Sequence, residues 1–174
     1  MKPLICDLPY PSTDALTTDV RSGQIISFAY ATLNGEVTAT LQYAYHNFVL
    51  SATHPEIAET LLSIAVAEMH HISLLGKAMC RLRITPLYTQ YPNSKNYYNT
   101  SCVSQSVTPT KILMDNLKGE LNAISEYRKM LLVLNNEQVE ALIERIILDE
   151  QLHVETLKNL MEKLNTSNES TEQN

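Results

Sequence analysis

The chain has 174 residues, of which 44% are hydrophobic and 18% charged, with a formal net charge of -6 and only 4 Gly. That length suits one domain with a continuous core, and scarce glycine among runs of Ala, Leu, Ile and Glu favours helices over a turn-rich β fold. The acidic balance argues against nucleic acid as a partner, since phosphate binding needs a basic face, and no basic run suits a membrane surface.

The lead-in, residues 1–18 with Pro3, Pro9 and Pro11, reads as an irregular segment. It lacks the apolar stretch of a signal peptide, and nowhere do about 18 apolar residues run uninterrupted, so a cytoplasmic protein without a membrane span is expected. A first helix, A, is predicted from about Asp19 to about Ser51. Thr53-His54-Pro55-Glu56 has a capping-box pattern and should open helix B, which runs from 55 to about 83. The stretch 84–107 holds Pro86, Pro92, several Asn and Ser and the tyrosines Tyr88, Tyr91, Tyr97 and Tyr98, and reads as a long crossover loop between B and C, its tyrosines packing over the bundle. Thr108-Pro109 then opens helix C, about 109–134, and Asn135-Asn136 turns the chain into helix D, about 137–164. The polar tail 165–174 reads as disordered.

Each helix carries an apolar seam at three- and four-residue steps, the pattern of an all-α, up-down four-helix bundle spanning residues 19–164. Helix A reads Ile26, Ala29, Leu33, Glu36, Thr40, Tyr43, Asn47, Leu50, and helix B reads Leu61, Ile64, Glu68, His71, Leu75. Helix C reads Leu113, Leu117, Glu120, Ile124, Tyr127, and helix D reads Ile143, Ile146, Glu150, His153, Leu157. Glutamate therefore interrupts all four stripes. A carboxylate withdrawn from water is tolerated only when paired, protonated or metal-bound, and the seams offer no Lys or Arg. Two divalent cations would balance four carboxylates beside two neutral imidazoles. Glu36 and Glu68 lie at similar depth from the A–B turn, Glu120 and Glu150 at equal depth from the C–D turn. A crossover loop of this length reaches roughly 80 Å when extended, ample for a bundle about 40 Å long.

The halves repeat. Glu36 with Tyr43 seven residues on parallels Glu120 with Tyr127, and Glu68-Met-His-His71 parallels Glu150-Gln-Leu-His153. One Glu-x-x-His is a weak signal; two, each preceded by Glu-x6-Tyr on a partner helix, form a pseudo-two-fold set suited to two metals. Mixed carboxylate and imidazole ligation suits manganese or iron.

Over residues 20–164 these motifs resemble the ferritin-like superfamily, and within it the rubrerythrin and manganese-catalase groups. The segment Ala67-Glu68-Met69-His70-His71-Ile72-Ser73-Leu74-Leu75-Gly76 is similar to short rubrerythrin-like and manganese-catalase-like proteins, including some spore coat components. The resemblance implies six metal ligands, Glu36, Glu68, His71, Glu120, Glu150 and His153, with Glu68 and Glu150 bridging and Glu36 and Glu120 terminal. It implies two Fe or Mn ions per chain, and Tyr43 and Tyr127 as tyrosines that serve catalysis by hydrogen-bonding the glutamates. Hydrogen peroxide or dioxygen, an external electron donor and a homo-oligomeric state follow as expected partners. The implied activity is peroxide dismutation or reduction in defence against oxidative stress; metal storage and a coat-type structural role are the alternatives. The chain departs from full rubrerythrins in lacking a rubredoxin domain and in carrying Ala123 where an extra carboxylate often stands. The set of four Glu and two His is closer to manganese catalases and ferritin-type centres.

Other polar residues carry less. Asp149 either orients a ligand histidine from a neighbouring helix or is a solvated acid. His70 points about 100° from His71 and should be partly exposed. His46 and His54 read as structural or surface groups, and Glu126 as solvated. Cys6, Cys80 and Cys102 form no C-x-x-C pair, which rules out a four-thiolate zinc or iron site, and no redox role is assigned to them.

Overall fold

The structure, a computed structural model, describes residues 2–89 and 94–172, with side chains through residue 166. Among the described residues, five α-helices make an all-α bundle: α1 (Val20–Tyr30), α2 (Glu36–Leu50), α3 (Pro55–Arg81), α4 (Pro109–Leu131) and α5 (Glu137–Glu172). Helix α2 packs along α3 and α4 along α5, while α1 lies against α3 and α4. Among the described residues no helix is long and apolar enough to cross a membrane.

The single helix expected over 19–51 is broken at residues 31–35. Asp19 caps α1 by accepting from the Ser22 amide at 3.1 Å. Gly35 caps α2, and a Cβ there would lie 2.7 Å from the Ala29 carbonyl oxygen and 2.9 Å from the Thr32 nitrogen. Only glycine permits so close a backbone approach. The Asn34-Gly35 pair is a turn signal that the seam periodicity obscured. Two consequences follow. Leu33, assigned to the inward seam, is 60% exposed. Glu36 becomes the first residue of α2, where free N–H groups and the helix dipole favour a carboxylate.

Other boundaries also shift. Helix α3 is capped by His54 with Pro55 in the first turn, so Thr53 is not the cap; its hydroxyl lies 3.0 Å from His54 Nδ1. Helix α4 ends at Leu131 rather than Leu134. Helix α5 continues to Glu172 through most of the tail expected to be disordered, because polar residues such as Asn165 and Glu169 do not break a helix already nucleated over seven turns; Gln173 and Asn174 lie outside the described residues. The described residues of the crossover loop include a short 3-10 turn, Thr100–Cys102, and an antiparallel bridge, Thr89 to Tyr97. Of its tyrosines, Tyr98 packs on the core and Tyr88 lies 5.5 Å from the Tyr30 ring, whereas Tyr97 is 82% exposed and does not cover the bundle. Tyr91 and Pro92 lie outside the described residues.

Two apolar clusters sandwich a polar layer. One holds Ile26, Leu75, Leu82, Ile143 and Ile146; the other holds Leu50, Leu61, Ile64, Ile112 and Leu157. Each fully buried Leu or Ile contributes about 1.5–3 kcal/mol, which offsets the cost of holding polar groups dry between them.

Candidate metal centre

Glu36 enters from α2, Glu68 and His71 from α3, Glu120 from α4, and Glu150 and His153 from α5. All six are at most 3% exposed. They form two nests that share a wall. Ligand atoms of Glu36, Glu68, His71 and Glu150 lie within 4.8 Å of one another, and so do those of Glu68, Glu120, Glu150 and His153. Glu68 and Glu150 belong to both. His71 Nδ1 is 3.2 Å from Glu68 Oε2, 3.2 Å from Glu150 Oε1 and 3.7 Å from Glu36 Oε2. His153 Nδ1 mirrors it at 3.1 Å from Glu68 Oε1, 3.3 Å from Glu150 Oε2 and 3.6 Å from Glu120 Oε2. The two imidazole centroids are 6.2 Å apart.

The donor set fits metal on two grounds. Among the described residues, Glu68 Oε1, both Glu150 oxygens and His153 Nδ1 are buried without a hydrogen-bond partner. Such orphans each carry a desolvation cost, and here they lie among the groups of the two nests. Second, the outer nitrogen of each imidazole meets only an acceptor: His71 Nε2 lies 3.2 Å from Asp149 Oδ2, and His153 Nε2 lies 2.9 Å from the Leu4 carbonyl oxygen. An acceptor outside fixes the proton on Nε2 and turns the Nδ1 lone pair of the neutral ring inward, as a metal ligand requires.

Without a cation, protons hold the layer together. Burial, then the Glu68 charge, pushes Glu36 well above the ordinary carboxyl range; burial, then the Glu150 charge, does the same to Glu120. Burial also opposes ionisation of Glu68, but the close approach of Glu36, His153 and His71 outweighs it and holds that carboxyl well below its ordinary value. Glu150 is lowered in the same way, burial and the Glu68 charge being overcome by Glu120, His153 and His71. Burial disfavours charge on both histidines, yet Asp149 and the nearby glutamates raise His71, and Glu120, Glu150 and Glu68 raise His153.

The tyrosines bond crosswise. Tyr43 of α2 donates to Glu120 Oε1 of α4, and Tyr127 of α4 donates to Glu36 Oε1 of α2. Burial, then the adjacent glutamate charge, keeps both phenols protonated. Asp149 is fully buried, so of its two readings the solvated one fails. His70 is exposed, His46 is buried with Nδ1 3.1 Å from Asn116 Oδ1, and Glu126 pairs with Lys129 on the surface.

A cavity of about 380 Å³ opens between α2 and α4, under the loop residues Ser101–Ser104. It is lined by all four glutamates and by Tyr43, whereas neither ligand histidine reaches it.

Sequence reasoning missed the lead-in segment and Arg145. Residues 4–10, read only as irregular, contribute Leu4, Cys6 and Tyr10 to the histidine side of the centre, and Arg145 is 5% exposed with Nη1 2.8 Å from Asp149 Oδ1. A signal existed: Arg145 and Asp149 are four apart on one helix face, the spacing of an ion pair.

Known proteins share this arrangement of helices. The manganese catalase KatB from Anabaena superposes with a TM-score of 0.78 at 17% identity, over 92% of this chain and 80% of that one. Bacterioferritin from Rhodobacter capsulatus superposes with a TM-score of 0.70 at 20% identity, over 87% of this chain and 89% of that one. No curated protein matches the chain in sequence. Fold and donor set together define the class: a ferritin-like helical bundle with a buried carboxylate–histidine centre. Within it, the rubrerythrin family model matches residues 111–174, the stretch that carries Glu120, Glu150 and His153.

Proposed function

We propose that this chain binds two ions of manganese or iron and is an oxidoreductase acting on hydrogen peroxide, dismutating it or reducing it with an external electron donor. The single observation behind this reading is the pair of buried nests sharing Glu68 and Glu150. One nest would hold one ion through Glu36 and His71, the other through Glu120 and His153, with the shared glutamates bridging. Two redox-active ions held there would supply a two-electron exchange with peroxide.

The chain's own groups do the rest. Glu68 and Glu150, each approached by both histidines, set the spacing. Tyr43 and Tyr127 hold Glu120 and Glu36 by one oxygen each, leaving the other oxygen toward the centre. The cavity reaches the centre from the glutamate side, so exchange and proton transfer there belong to the carboxylates. Self-association and a cytoplasmic setting accord with this role.

Oxygen evolution from peroxide by protein loaded separately with Mn(II) and Fe(II), with elemental analysis beside it, tests the proposal. Two metals per chain and catalytic oxygen release are expected with one of them. Two metals with no peroxide consumption, with or without a reductant, would exclude the catalytic role; uptake of many ferrous ions per chain would favour storage.

A further inference from the structure

We propose that the N-terminal segment, residues 4–10, is a clamp on the outer side of the metal centre that makes the two metal positions unequal, the His71 position being held more firmly than the His153 position. The inference rests on the di-metal reading above and deepens it. Its basis is what stands behind each histidine.

Behind His71 is a carboxylate. Asp149 receives His71 Nε2 at 3.2 Å, the Cys6 amide at 2.7 Å and the Tyr10 hydroxyl, and faces Arg145 Nη1 at 2.8 Å. Arg145 is anchored by the same segment: Nε donates to the Leu8 carbonyl at 3.0 Å, Nη2 to the Cys6 carbonyl at 2.8 Å, and the guanidinium lies 4.1 Å from the Tyr10 ring centroid. Every oxygen lone pair of this fully buried acid is thus spoken for, and its direction is fixed. Behind His153 is only a peptide carbonyl, that of Leu4 at 2.9 Å. Leu4 is held by its amide on the Ser63 carbonyl of α3 at 3.0 Å and by its side chain against the second apolar cluster.

An imidazole that donates to a carboxylate is a stronger metal ligand than one that donates to a neutral carbonyl. The internal repeat cannot supply the difference. At the positions matching Asp149 and Arg145, one and five residues before the repeated glutamate, the first half has Ala67 and Ser63. The segment therefore completes an acidic network on one side and leaves a single carbonyl on the other. An apolar strap would hold the helices equally well, because a buried ion pair is a poor source of stability.

The test uses full-length protein loaded with cobalt(II), which binds such nitrogen and oxygen ligands more tightly than manganese or iron. Its visible absorption is followed during extraction by excess chelator. Wild type should release cobalt in two phases of equal amplitude. Asp149→Asn should speed the slow phase by about 10–100-fold and leave the fast phase nearly unchanged. Tyr10→Phe should act on the same phase by a few-fold, whereas Leu4→Gly should speed only the fast phase. Tyr10→Phe and Leu4→Gly remove no charge, so they decide the matter even if Asp149→Asn does not fold. Release of both ions in one phase, or equal acceleration of both phases by each variant, would overturn the clamp. Protein that binds no metal would overturn the di-metal reading with it, while two clean phases without peroxide turnover would overturn the catalytic reading alone.

Discussion

The α2–α3 pair and the α4–α5 pair make a natural comparison, because one is nearly a repeat of the other. Inside, they match group for group: Glu36 with Glu120, Tyr43 with Tyr127, Glu68 with Glu150, His71 with His153, even to the crosswise tyrosine bonds. Outside, they part: Asp149 and Arg145 have no counterpart at Ala67 and Ser63, and the N-terminal segment fills the difference. The inner layer is tied to symmetry because the two nests share Glu68 and Glu150. The outer layer is free of that demand, so a single strand of chain can treat the two histidines differently.

The largest effects should come from groups shared by both halves. Glu68→Gln and Glu150→Gln each damage both nests, so metal content should fall from about two ions per chain to well under one, by elemental analysis. In chelator, the same variants should melt below the wild-type temperature, since each takes a carboxylate partner from the buried, protonated histidines. If Glu68→Gln retained both ions, the bridging role would be wrong.

Next come groups belonging to one half. Glu36→Ala and Glu120→Ala should each leave about one ion per chain, and a mismatch between them would show that the inner symmetry is only apparent.

Metal loading should also displace protons. Glu36, Glu120, His71 and His153 all hold protons more tightly in the metal-free fold than in the unfolded chain, so binding two ions should release about four protons, measurable by calorimetry in buffers of different ionisation enthalpy. With folded values raised above the ordinary 4.5 for glutamate and 6.5 for histidine, these four groups favour the metal-free fold less and less as pH rises above 4.5. Glu68 and Glu150, lowered from 4.5, act oppositely only as pH falls below that value. The gap in melting temperature between loaded and metal-free protein should therefore widen from about pH 5 to about pH 8. A constant gap would contradict the proton-for-metal exchange.

The smallest effects belong to the tyrosines. Tyr43→Phe and Tyr127→Phe each leave one buried carboxylate oxygen without its donor, costing about 1–3 kcal/mol by denaturant titration, with two ions retained. Equal costs would extend the inner symmetry to this pair; unequal costs would limit it to the ligands themselves.

What was readable beforehand has a clear physical origin. Glutamates on otherwise apolar seams stand out because burying a charge is expensive, and the repeat of Glu-x6-Tyr and Glu-x-x-His puts the same exception at the same depth in each pair. The break before Glu36 was obscured because Ile26 and Ala29 continue the same period; only the close approach at Gly35 reveals that the first rod is two helices. The reach of α5 to Glu172 was hidden by composition, since a polar tail carries no seam.

The sequence alone determined the helical class, the six inward-facing donors and their two-fold spacing, because these depend on periodicity within each helix and on the cost of burying charge. Tertiary structure decided what stands behind the donors: that Tyr43 crosses to Glu120, that Asp149 turns inward to His71, and that Leu4 caps His153. Those contacts join residues as far as 149 apart in the chain. No local period encodes such a meeting; it exists only once the N-terminal segment has been laid against α3 and α5.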